Sequence, residues 1–172
     1  MNIKEAFKKY CPYLVAAVLF IALAYIYCSP VLKGKIVYAG DNLNGTSAVQ
    51  EAVRYTMETG DHTWWIGNMF CGMPDYQVGG GQYKSAKLLA PLYRIFHKGH
   101  HSSVWVLIIY FVCFFILLRA FDINKWLSIV GSLAVSFSSY FLVIIAAGHN
   151  GKTSTIALIS VVMAGFYLIF RV

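Results

Sequence analysis

The stretch "AAGHNGKTS", residues 146–154, gathers an imidazole, a carboxamide and an ammonium in one short polar run: His149, Asn150 and Lys152. These groups donate hydrogen bonds and Lys152 is cationic, so the run suits an anion such as a phosphate. It also spells the second half of the phosphate-binding loop G-x-x-x-x-G-K-[ST], through Gly151, Lys152 and Thr153, with Ala146 where the first glycine belongs. The competing reading is an Asn150–Gly151 tight turn with Lys152 facing water. A second polar run, "YAGDNLNG" (38–45), offers Asp41, a carboxylate able to take a proton from a hydroxyl. Its competing reading is local, because Asp and Asn readily bond nearby backbone amides in turns.

The elements around these runs decide between the readings. The chain has 172 residues, 59% hydrophobic, and only 12% are charged. A soluble domain carries about a quarter charged residues, so this one lacks the means to cover a water-facing surface. Four apolar segments follow: 13–32, 103–121, 126–148 and 155–170. A spanning helix needs about 20 mostly apolar residues, which the first and third supply outright. The expected fold is therefore an all-α integral membrane protein with about four transmembrane helices. A phosphate-binding loop needs a short buried strand before it and an amphipathic helix after it. Here a long apolar run precedes and "IALISVVMAGFYLIF" follows, apolar on every side. The run 149–154 is thus expected to be a short loop between membrane helices.

A cleaved signal peptide is the rival for the first segment, since "MNIKEAFKK" has the right charge. The apolar run is too long for it, and "ALA" at Ala22–Ala24 lies inside the run. A lipoprotein signal at Cys28 fails on the large Tyr27 before it. Basic residues set the orientation. Residues 1–12 hold Lys4, Lys8 and Lys9, the turn 122–125 and its approach hold Arg119 and Lys125, and Arg171 follows the fourth segment. Even numbers of spans separate the three sites, so all are expected in the cytoplasm. Residues 33–102 and 149–154 then lie outside.

A loop of this length calls for internal structure. "TSAVQEAVRYTMETG" reads as a helix capped by Thr46 or Ser47 and stopped at Gly60. "YKSAKLLAPLYRIFHKG" places Leu88, Leu89, Leu92, Tyr93 and Phe96 near one face, as in a helix lying among lipid headgroups. Trp64 and Trp65 between them are expected to anchor at the membrane interface.

The net charge is +7, but the basic residues are dispersed among polar segments and no nucleic-acid-binding motif is present, so nucleic acid is not an expected partner. The cysteines Cys11, Cys28, Cys71 and Cys113 show no C-x-x-C spacing. No cofactor is evident, and a divalent-metal requirement is left open.

Three ordered pieces carry a family resemblance. "SPVLKGKIVYAGD" follows the first segment, "WWIGNMFCGMPDYQV" lies mid-loop, and "WLSIVGSLAVSFSSYFLVIIAAGHNGK" covers the third segment and its exit. Together they resemble the YfhO family of bacterial multi-pass membrane proteins. Cys71 departs from the pattern, which usually has glycine there. The resemblance implies a relation to type C glycosyltransferases, which take a sugar from a polyprenyl-phosphate donor on the outer side of the cytoplasmic membrane. It implies Asp41 as the catalytic carboxylate, with His149, Asn150 and Lys152 contacting the donor phosphate. It also implies membrane lipid and a lipid-linked sugar donor as partners. Members are several times longer, so the chain is expected to be an N-terminal fragment, inactive without the remainder of the full-length protein.

Two other classes compete. A transporter or flippase component would carry ionisable residues within its spans, and none lies in 13–31 or 126–148. A non-catalytic scaffold would use the outer loop only to bind a partner.

Overall fold

The computed structural model describes residues 3–35, 39–77 and 102–171. It divides into two compact units, Met1–Val37 with Phe96–Val172, and Tyr38–Ile95. The expected loop helix at Leu88–Phe96 lies outside the described residues.

The first unit is a helical bundle. Its helices are α1 (Ile3–Tyr27), the short α2 (Ser29–Leu32), α4 (Ser102–Ala120), α5 (Lys125–Ser136), α6 (Ser139–Ala147) and α7 (Asn150–Phe170). The central helix is α4, which packs against α1, α5 and α7. Toward α1, Phe111 stacks on Phe20 at 5.1 Å and Phe115 meets Phe20 edge-on at 6.0 Å. Toward α6 and α7, Val106, Ile109, Tyr110 and Cys113 pack with Ala157 and Phe141. Against α5 the approach is closer. A Cβ on Gly131 would stand 2.8 Å from Leu118 Cδ1, while Ser128, Ser132 and Ser136 are buried at i, i+4, i+8. Small residues let membrane helices come together, and the Ser132 hydroxyl satisfies itself by donating to the Ser128 carbonyl at 2.6 Å.

The outward faces are apolar. On α1 Leu14, Val18 and Ile21 are exposed, and on α7 Ile159, Phe166 and Phe170. Water would not tolerate so large an apolar surface, whereas lipid requires it. Three helices are long and apolar enough to span: Phe7–Tyr27, Ser103–Ala120 and Lys152–Phe170. The protein is a multi-pass, all-α membrane protein, with no β-barrel among the described residues.

The third apolar segment is not one continuous helix. It breaks at Phe137–Ser138, and its halves α5 and α6 bend by 51°. Serines cluster there in "SFSSY", and such residues offer the backbone alternative partners. The pair still crosses the bundle. Arg171, after α7, pairs with Asp122 in the α4–α5 turn, and that hydrogen bond holds the guanidinium above its ordinary pKa. Lys125 Nζ donates to the Lys9 carbonyl at 3.0 Å, bringing the start of α1 to the same end. Since α7 runs about 30 Å, its beginning is at the other end, and α5–α6 must climb from one to the other. With the bent pair counted as one span, up to four crossings result.

The second unit holds α3 (Gly40–Thr59), a two-residue β-hairpin of β1 (Trp65–Ile66) and β2 (Met73–Pro74), and a 3-10 turn at Asp75–Gln77. The helix begins six residues before the expected Thr46 cap, so Thr46 and Ser47 lie inside it. "GDNLNG" reads as a turn by propensity, but Asp41 in the first turn complements the helix dipole and Ala48 and Ala52 give the helix a buried face. It ends as expected at Gly60, which adopts φ +78°.

Candidate functional site

The junction between α6 and α7 is built on one glycine. Gly148 takes φ +93°, the left-handed conformation that ends a helix without a Cβ clash. Its N–H and that of His149 close α6 through Ile145 and Ile144, each at 3.2 Å. The His149 carbonyl then accepts from Thr153 N–H at 2.9 Å, and α7 starts at once. His149 is the residue before α7, and Asn150, Gly151 and Lys152 form its first turn. A helix, not a strand, leads into the run, so the architecture of a nucleotide-binding loop is absent at this junction.

His149 is exposed on this end of the bundle. Lys152 is also exposed, and its ammonium lies 5.3 Å from the Tyr140 ring centroid. That contact fixes a charge on the first turn of α7, where free backbone N–H groups already favour an anion. Thr153 beside it is buried. His149, Asn150 and Lys152 therefore come together on one helix start.

Asp41 belongs to the other unit. It is exposed on the first turn of α3, one step inside the helix and not in the turn before it. Ala39 stands before the helix in extended conformation and makes no side-chain cap. Trp64 and Trp65, in the same unit, expose 60% and 57% of their surface, enough to cover apolar ligand or lipid. Among the described residues no three His, Cys, Asp or Glu side chains gather as for a metal ion. The chain matches no protein-family model, no curated protein and no solved structure.

Sequence reasoning did not single out His62 and Asp75. The hairpin brings them together across 13 residues of chain (75 minus 62). Asp75 N–H donates to the Trp64 carbonyl at 2.9 Å. Its carboxylate is buried, with Oδ2 3.3 Å from His62 Nε2. Nε2 makes no hydrogen bond in that contact, and Trp64 holds the imidazole edge-on at 4.7 Å. A buried carboxylate calls for a cationic or hydrogen-bonding neighbour. The histidine just past the helix-stopping Gly60 and the acid straight after Met73–Pro74 were the available marks.

Proposed function

We propose that this membrane protein is part of a YfhO-type glycosyltransferase. It transfers a sugar from a polyprenyl-phosphate donor to a cell-envelope acceptor at the outer face of a bacterial cytoplasmic membrane. The observation that carries this reading is the helix restart at Gly148–His149. It supports a phosphate site because backbone N–H groups and the Lys152 ammonium share one turn of a membrane helix. The motif resemblance supplies the sugar chemistry.

In this reading Asp41 takes the proton of the acceptor hydroxyl while its oxygen attacks the sugar's anomeric carbon. The bond from that carbon to the phosphate oxygen breaks, and the phosphate leaves with the electron pair. Lys152, His149 and the start of α7 meet the charge it carries away. Binding energy spent on that leaving group lowers the barrier only if it grows as the bond breaks, which a fixed ammonium at a helix start satisfies.

The test is Asp41→Asn in the full-length protein, in membranes supplied with lipid-linked sugar. A positioned base contributes about 10²–10⁴-fold, so transfer should fall by that factor at unchanged protein level. Transfer at the parent rate would make Asp41 a helix-start residue only.

A further inference from the structure

One face of α3 and the hairpin flank an open groove of about 710 Å³, lined by Gln50, Glu51, Val53, Arg54, Met57 and Asn68. Glu51 and Arg54 also line a separate recess of about 150 Å³, together with Tyr55, Glu58, Thr63 and Trp65. The recess combines planar polar groups, Glu51 and Arg54, with the aromatic rings of Tyr55 and Trp65.

That combination has a chemical counterpart. A sugar offers adjacent hydroxyls, each both donor and acceptor. A carboxylate, a guanidinium or a carboxamide presents two atoms side by side and engages two such hydroxyls at once. A sugar ring also has an apolar C–H face, which an indole or phenol ring covers. Trp65 is suited to this role because its position is fixed. Its N–H and carbonyl both bond the Thr63 hydroxyl, at 3.2 and 2.9 Å. Its indole edge lies against Gly72, where a Cβ would stand 2.6 Å from Nε1. More than half of the residue stays exposed.

Charge narrows the ligand. Glu51 and Glu58 against Arg54 leave the lining with one net negative charge. Arg54 Nε is 3.8 Å from Glu58 Oε1, with both side chains largely exposed. So exposed a pair contributes little, and Arg54 is available to a ligand. A phosphorylated or acidic sugar meets repulsion here, and a neutral one does not.

We propose that the recess between α3 and the hairpin binds a neutral saccharide, stacked on Trp65 and hydrogen-bonded by Glu51 and Arg54. The site stands on its own geometry, and binding is measured with no lipid-linked donor present. Its failure is therefore distinct from failure of the transferase reading.

The experiment uses the whole chain in lipid nanodiscs, free of glycoside detergent, with the Trp65 indole N–H followed by NMR and assigned through Trp65→Phe. Methyl glucoside, N-acetylglucosamine and maltose are titrated, with glycerol and glucose 6-phosphate as controls. A saturable shift by a neutral sugar is expected, weakened about tenfold by Glu51→Ala or Arg54→Ala, the loss of one charge-assisted or bidentate contact. The Ile66 amide, buried in the hairpin, reports whether each variant keeps its fold. No saturable shift, an equal response to glycerol, tighter binding of glucose 6-phosphate, or unchanged affinity in the folded Glu51→Ala Arg54→Ala double variant would each overturn the proposal.

Discussion

Gly72 lies edge to edge with the Trp65 indole, close enough that a Cβ would fall 2.6 Å from Nε1 and 2.7 Å from Cζ2. Its backbone sits at φ +113°, where side chains are strained as well. Gly72→Ala therefore meets a clash and an unfavourable dihedral together. The variant should lose about 1–3 kcal/mol locally, seen as faster hydrogen exchange at Ile66 and a shifted Trp65 indole resonance. Parent-like exchange and resonance would show that the indole is free to move.

Phe70 and Cys71 precede Gly72 and both adopt positive φ, +50° and +61°. Left-handed backbone costs a residue with a Cβ roughly 1–2 kcal/mol. Cys71 therefore carries a conformational cost that glycine would avoid. Cys71→Gly should slow exchange in the hairpin, with a gain of about 0.5–1 kcal/mol after the entropy that glycine costs the folded state. A faster-exchanging hairpin in that variant would mean that the cysteine side chain contributes more than its strain.

Much of the bundle was legible because lipid imposes a simple demand. A helix such as Phe7–Tyr27 must be apolar along its whole length, and that shows in sequence without knowledge of its neighbours. The break at Phe137–Ser138 did not show, because both halves are apolar and the serines fit a small-residue helix face equally well. The start of α3 was read too late, since Gly40, Asn42, Asn44 and Gly45 are turn residues by propensity and only packing overrides them. His149, Asn150 and Lys152 were legible as a group because they are adjacent in the chain. His62 and Asp75, or Glu51 and Asn68, meet only once two-residue strands fold the segment back, and strands so short leave no period to detect.

Asp122 and Arg171 fasten one end of the bundle, and Lys125 with Lys9 stands at that end too. Positive residues in short connections mark the cytoplasmic side. With Cys11, Cys28, Cys71 and Cys113 replaced, a cysteine at Asp122 should resist an impermeant thiol reagent in intact cells. One at Asp61 should react. The reverse pattern would turn the protein over and remove Lys152 from the outer face.

Lys152 and Tyr140 give the phosphate reading its sharpest test. The ammonium stands 5.3 Å from the ring centroid, a contact worth about 0.5–1 kcal/mol when exposed and about 2 when water is excluded. If the ring serves to hold the charge where the donor phosphate binds, shape matters more than the phenol oxygen. Tyr140→Phe keeps the ring and should leave donor affinity near the parent value. Tyr140→Leu removes the quadrupole, frees the ammonium, and should weaken the donor by about 2–5-fold, in line with that contact energy. Lys152→Ala removes the charge itself. It should cost more in both donor affinity and rate, because the leaving phosphate gains charge as the bond breaks. Lys152→Arg restores charge without the same point geometry and should recover affinity better than rate. The order Lys152→Ala, then Tyr140→Leu, then Tyr140→Phe is what a positioned phosphate contact requires. Equal donor affinity across all three, measured in the full-length protein with lipid-linked sugar, would reduce Lys152 to a solvated lysine at a helix start.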